Sequence, residues 1–130
     1  MVHIGTESEY LRLTRQDAET VLAELEVSGL SATRPVVQAF AAGVTEVSTF
    51  LDSLERDWRG WEGERAWTSL EDDLTMQARH THGHVQLRVT LRCHRADWGN
   101  DGWRATADLT IDPGEQLSRI AADARSEFSA

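Results

Sequence analysis

The chain has 130 residues, 40% of them hydrophobic and 27% charged, with a formal net charge of −9 at pH 7. That length suits one domain with a real core, and the apolar content with five tryptophans excludes a disordered polymer despite the charge. So acidic a surface argues against nucleic acid as a partner, and the single cysteine, Cys93, excludes an intrachain disulfide. The expectation is therefore a single domain over residues 1–130 in a reduced, cytoplasmic setting. The first residues lack the basic start and apolar run of a signal peptide, and no stretch has the length of a membrane span. All basic residues are arginine, and the acids are spread evenly along the chain.

In chain order, Tyr10 to Thr14 reads as a short strand. Thr20 to Gly29 reads as a longer one, with Val21, Ala23, Leu25 and Val27 on one face and Glu24, Glu26 and Ser28 on the other. Residues 31–34 lead to Pro35, a residue suited to the first turn of a helix. Val37, Phe40, Val44, Val47, Leu51, Leu54 and Trp58 then recur at steps of three and four, which predicts an amphipathic helix of about six turns ended by Gly60. Trp67 to Leu70 and Leu74 to His80 read as two strands, or one with a bulge, around Glu71-Asp72-Asp73, an acidic run of the kind found in solvated turns.

The strongest pattern follows. Val85, Leu87, Val89, Leu91 and Cys93 alternate with Gln86, Arg88, Thr90, Arg92 and His94, which defines a half-buried strand. After a loop rich in turn formers, Trp103, Ala105, Ala107, Leu109 and Ile111 alternate with polar residues in a last strand. Asp112-Pro113-Gly114-Glu115 is a helix start, followed by an apolar stripe through Leu117, Ile120, Ala121, Ala124 and Phe128. The expected fold is α+β in the order β-β-α-β-β-β-β-α. A mostly antiparallel sheet of about six strands carries one long helix and one short C-terminal helix.

Three sets of residues invite a functional reading. His80, His82 and His84 have the alternate spacing of metal ligands, but Gly83 breaks the run at a turn and no fourth ligand is evident, so neither a metal nor a cofactor is expected. Residues 79–104 hold five arginines and two aspartates inside an acidic chain. Arg88 and Arg92 share a face that Arg79 and Arg104 can join from neighbouring strands, either to hold an acidic partner or phosphate-bearing ligand or to pair with Glu24, Glu26 or Asp108. Trp58 and Trp103 fall in apolar positions and are expected in the core, whereas Trp61 and Trp98 lie in loops, where an exposed tryptophan can anchor an interface. Catalytic motifs are lacking, and Cys93 falls on the apolar side of its strand, where a thiol is inert.

The stretches Phe50-Leu51, Asp57-Trp58-Arg59-Gly60-Trp61, Trp67-Thr68-Ser69-Leu70-Glu71, Gly83-His84-Val85 and Asp112-Pro113-Gly114-Glu115-Gln116-Leu117 carry a family likeness. Over about residues 45–128 the chain resembles a family of small actinobacterial (Streptomyces-type) domains of unknown function. More loosely, its order of elements resembles immunity proteins of the wall-associated-protein (WapI) type, which neutralise toxins. That resemblance implies a non-catalytic protein-binding module whose partner is a basic toxin domain. The alternatives are a small-ligand domain or enzyme using the arginine-bearing face, and a structural homo-oligomer such as a homodimer paired through a sheet edge.

Overall fold

Alternation of apolar and polar residues runs from Val2 to Val37 and builds a complete sheet before any helix begins. The computed structural model describes residues 1–38, 43–94 and 102–129. Strands β1 (Val2–Gly5), β2 (Tyr10–Arg15), β3 (Thr20–Val27) and β4 (Leu30–Val37) form an antiparallel sheet in the order β1-β2-β3-β4. Val2, Ile4, Leu11, Leu13, Val21, Ala23, Leu25 and Val36 project from its inner face and are buried. At the β1–β2 turn Gly5 holds a φ of +129°, and a Cβ there would collide with the backbone carbonyl of Glu9.

Helix α1 (Thr45–Arg56) follows, and then a second antiparallel sheet in the order β5-β6-β7-β8. Its strands are β5 (Glu64–Thr68), β6 (Leu74–Thr81), β7 (His84–Cys93) and β8 (Trp103–Ile111). Helix α2 (Glu115–Glu127) closes the order, which among the described residues is a ββββα unit followed by another ββββα unit. Each helix packs its apolar stripe inward: Val47, Phe50, Leu51 and Leu54 from α1, and Leu117, Ile120, Ala121 and Ala124 from α2. The inner faces of both sheets and the two helices share one hydrophobic core.

The edge strands of the N-terminal sheet meet the second sheet, β1 against the edge strand β8 and β4 against the inner strand β7. Helix α1 packs on α2, and α2 packs on β1. Polar ties reinforce these contacts: Arg125 of α2 bridges Asp52 and Glu55 of α1 at 2.5 and 3.1 Å, and Arg65 of β5 donates to the Ser53 carbonyl at 2.7 Å. No helix among the described residues is long and apolar enough to cross a membrane.

The architecture corrects the expectation of one sheet of about six strands. Eight strands are divided between two sheets of four, and the added strands are β1 and β4. The error at β4 came from Pro35. It lies in an edge strand, where a missing N–H breaks no ladder, and all eight residues of β4 register against β3 across the Ser28-Gly29 turn. The long helix shortens accordingly. Val37 belongs to β4 and Phe40 lies outside the described residues, so the helical stripe starts at Val44, and α1 has 12 residues against 13 in α2. Trp58 lies beyond the end of α1 and is 46% exposed, and Trp103, at the start of edge strand β8, is 36% exposed, so neither is a core residue.

Candidate functional site

The outer face of the C-terminal sheet is an ordered lattice of polar side chains. Strict alternation turns Leu74, Met76, Ala78, Val85, Leu87, Val89 and Leu91 into the core and sends every second residue of β6 and β7 to solvent. The antiparallel register then aligns these residues in rows across all four strands. One row reads Glu64, Arg79, Gln86, Thr110, and the next reads Ala66, Gln77, Arg88, Asp108. A third row is made of four threonines, Thr68, Thr75, Thr90 and Thr106. The first row read from β5 and the second read from β8 both run acid, arginine, glutamine, so the charges are arranged about a pseudo-twofold centre.

Hydrogen bonds stitch the lattice together. Arg88 donates Nε–H and Nη2–H to the two carboxylate oxygens of Asp108 at 2.8 and 3.1 Å, a side-on bidentate pair. The hydrogen bond from Arg88 holds the Asp108 carboxyl below its ordinary range and raises the guanidinium in turn. Both side chains remain 58% exposed, so the pair is open to water and to exchange of partners. Arg79 lies 3.6 Å from Glu64, Gln77 donates to Glu64 at 3.2 Å, and Thr110 donates to Gln86 at 3.1 Å. Thr90 and Thr106 meet at 3.1 Å in the threonine row. Glu64, Gln77, Arg79, Gln86, Arg88 and Asp108 line a shallow depression of about 310 Å³ on this face.

Of the arginines singled out from sequence, Arg79 and Arg88 meet here. Arg92 and Arg104 register opposite each other on the same face, but the threonine row separates them from the depression. Arg92 is half-buried, and its backbone N–H donates to the Asp73 carbonyl at 2.8 Å. Among the acids considered as cross-strand partners, Asp108 pairs with Arg88. Glu24 and Glu26 belong to the other sheet, opposite Arg12 and Tyr10.

Trp61 lies apart from this face. It is half-buried against the core, with His80 edge-on at 5.4 Å and the Arg65 guanidinium over its ring at 4.8 Å. Trp98 lies outside the described residues. The three histidines diverge around the β6–β7 turn: His80 turns in to donate to the Trp58 carbonyl at 2.9 Å, His82 occupies the turn with φ +52°, and the His84 ring reaches back to the His82 carbonyl at 3.2 Å. Among the described residues no grouping of histidine, cysteine, aspartate and glutamate is arranged to hold a metal ion.

Sequence reasoning missed Glu64 and Gln77 as lining residues. Glu64 lay outside the expected strand, and the alternation Thr75, Gln77, Arg79 carried the signal for Gln77. It also misplaced Asp73, which is 2% exposed instead of lying in a solvated turn. Its carboxylate faces Arg34 of β4 at 3.5 Å, a polar tie between the two sheets.

Fold and face together define an α+β domain whose two meander sheets close on one core and whose C-terminal sheet keeps a polar face open. The chain belongs to the Family of unknown function (DUF6228), whose model matches residues 3–130. That match takes in the N-terminal strands as well as the region where the likeness was legible in the sequence. No curated protein and no solved structure matches the chain.

Proposed function

We propose that this protein is a non-catalytic protein-binding module and that its contact surface is the open face of the C-terminal sheet. The observation that carries this reading is the depression lined by Glu64, Gln77, Arg79, Gln86, Arg88 and Asp108. Its walls are long polar side chains with neither an aromatic nor an aliphatic residue among them, which suits a broad polar contact better than enclosure of a small molecule. Its four charges cancel, so the face itself brings no net charge into a contact. The remainder of the chain carries the excess behind the −9, a field that steers a basic partner toward the protein.

In its specific form the proposal is a toxin-neutralising role of the immunity type, with a basic toxin domain as the partner. The acidic field accelerates encounter and the neutral face seats the complex. The test uses affinity capture from the native cell with three baits: the wild type, Arg88→Glu, and Glu24→Arg on the opposite sheet. A partner retained by the wild type and by Glu24→Arg but lost by Arg88→Glu supports the assignment. Equal retention by all three baits, or loss through Glu24→Arg alone, overturns it.

A further inference from the structure

We infer that the centre of the open face is a seat for one carboxylate of the protein partner, held by Arg79, Arg88 and Gln86. The inference rests on that face being the contact surface and names the chemistry by which it recognises its partner.

The donors decide it. Arg88 engages Asp108 through Nε and Nη2, which leaves both N–H groups of Nη1 without an acceptor among the described residues. The nearest approach of Arg79 to Glu64 is through Nε at 3.6 Å, beyond hydrogen-bond length, so among the described residues its guanidinium is left with donors to spare. Gln86 accepts from Thr110 through Oε1, and this leaves its amide N–H groups available as well. Acceptors are arranged the opposite way. Glu64 and Asp108 stand on the two outer strands, one at each end of the lattice, while the arginines and glutamines occupy the two inner strands. The middle of the depression is therefore rich in N–H donors and poor in charged acceptors.

The strand register makes those donors neighbours. Gln86 lies directly opposite Arg79 across the β6–β7 ladder, and Arg88 is the next outward residue of β7. Arg79 and Arg88 are thus diagonal neighbours, roughly 7–8 Å apart at the backbone and within reach of two long side chains bending toward a shared acceptor. A planar carboxylate matches the guanidinium fork, as Asp108 demonstrates on this same face. A phosphate dianion fits less well, because the four charges of the lattice sum to zero and Glu64 and Asp108 flank the centre. The open, wall-less form of the depression favours a carboxylate presented by a protein surface, an aspartate or glutamate side chain, over a free acid.

The probe is a capped glycyl-aspartyl-glycine peptide, titrated against the whole protein at constant ionic strength. Its asparagine counterpart and inorganic phosphate serve as comparisons. Side-chain N–H resonances of Gln86, Arg79 and Arg88 should shift saturably with the aspartyl peptide, and the asparagine peptide should bind at least about tenfold more weakly, as loss of a charge-assisted hydrogen bond dictates. Arg79→Gln and Arg88→Gln should each weaken the aspartyl peptide by about the same factor. Absence of saturable shifts, equal response to the two peptides, or tighter binding of phosphate overturns the seat. A partner captured through Arg88 together with a silent peptide titration would remove the carboxylate seat and leave the docking surface standing. Capture indifferent to Arg88 would remove both.

Discussion

The two sheets share one topology and treat their outer faces differently. Both are four-stranded antiparallel meanders with apolar inner faces in a common core. On the N-terminal sheet the outer residues fold down on one another: His3 packs on Tyr10 at 4.5 Å, the Arg12 guanidinium lies over the same ring at 4.7 Å, and the Ser31 hydroxyl donates to Glu26. His3, Tyr10, Arg12, Glu24 and Glu26 are all half-buried as a result. On the C-terminal sheet no aromatic residue stands among the three polar rows, and Arg79 and Arg88 extend into water, 69% and 58% exposed. An aromatic side chain draws the outer residues of β1 to β3 down onto the sheet, and its absence from the rows of the other sheet leaves Arg79 and Arg88 extended.

The comparison holds only if both sheets belong to one cooperative unit, and the largest effect tests this. Leu13 of β2 and Leu87 of β7 are each fully buried. Truncating either to alanine should cost about 2–5 kcal/mol. The tryptophans report asymmetrically, because all five lie between residues 58 and 103. In denaturant unfolding, Leu13→Ala should shift the tryptophan-fluorescence midpoint as far as the far-ultraviolet circular dichroism midpoint. A variant that moves the dichroism alone would mean that the sheets unfold separately.

The next effect probes the tie between the sheets. Asp73→Ala removes the buried carboxylate facing Arg34 and strands a guanidinium that is itself partly solvated. Full loss of a buried partner costs about 3–5 kcal/mol, and the solvent access of Arg34 reduces the expectation to roughly 2 kcal/mol. Replacing Arg34 by methionine in the same background should recover part of that loss, because the uncompensated charge then disappears. No recovery in thermal melts would show that Asp73 acts through its local turn instead.

Gly5→Ala, within the N-terminal sheet, should cost roughly 1–3 kcal/mol, since the added methyl meets the Glu9 carbonyl and the φ of +129° is strained for any L side chain. A smaller change, measured by urea denaturation, would mean that the β1–β2 turn relaxes freely. At the Ser28-Gly29 turn nothing lies close to the corresponding Cβ, so any cost there comes from backbone strain at φ +81° alone.

What the sequence disclosed follows the same divide. Strand β7 was legible because its alternation is unbroken over ten residues, and β8 and α2 were legible for their alternation and the Asp112-Pro113 start. Strand β4 was not, because Pro35 signals equally a helix start and an edge strand, and only pairing with β3 decides between them. Strand β1 has four residues, too few for a period to stand out. The arginines of the candidate site were visible as a charge cluster, and Arg88–Asp108 was among the pairings considered. Glu64 entered only through register, since an acid outside the expected strand carries no mark of the position opposite Arg79. The burial of Asp73 left no local signal, because Arg34 is distant in sequence and the contact depends on how the sheets meet.

The smallest stability effect separates the two faces most sharply. Arg88 and Asp108 form a bidentate pair at an exposed site, so a double-mutant cycle with Arg88→Ala and Asp108→Ala should give a coupling of about 0.2–1 kcal/mol that declines as salt rises. Its pH dependence has a definite sign. The folded Asp108 carboxyl titrates below its ordinary 3.8, so the pair's contribution is complete above that value and is lost as pH falls through the lower, folded one. Asp108→Asn should remove that acid-side dependence and leave stability near neutrality almost unchanged. A coupling well above 1 kcal/mol would assign the lattice a structural role like that of the crowded N-terminal face. A small coupling, combined with loss of partner capture in Arg88→Glu, is what an open recognition face requires: side chains held in register by weak pairs that a partner can replace at little cost to the fold.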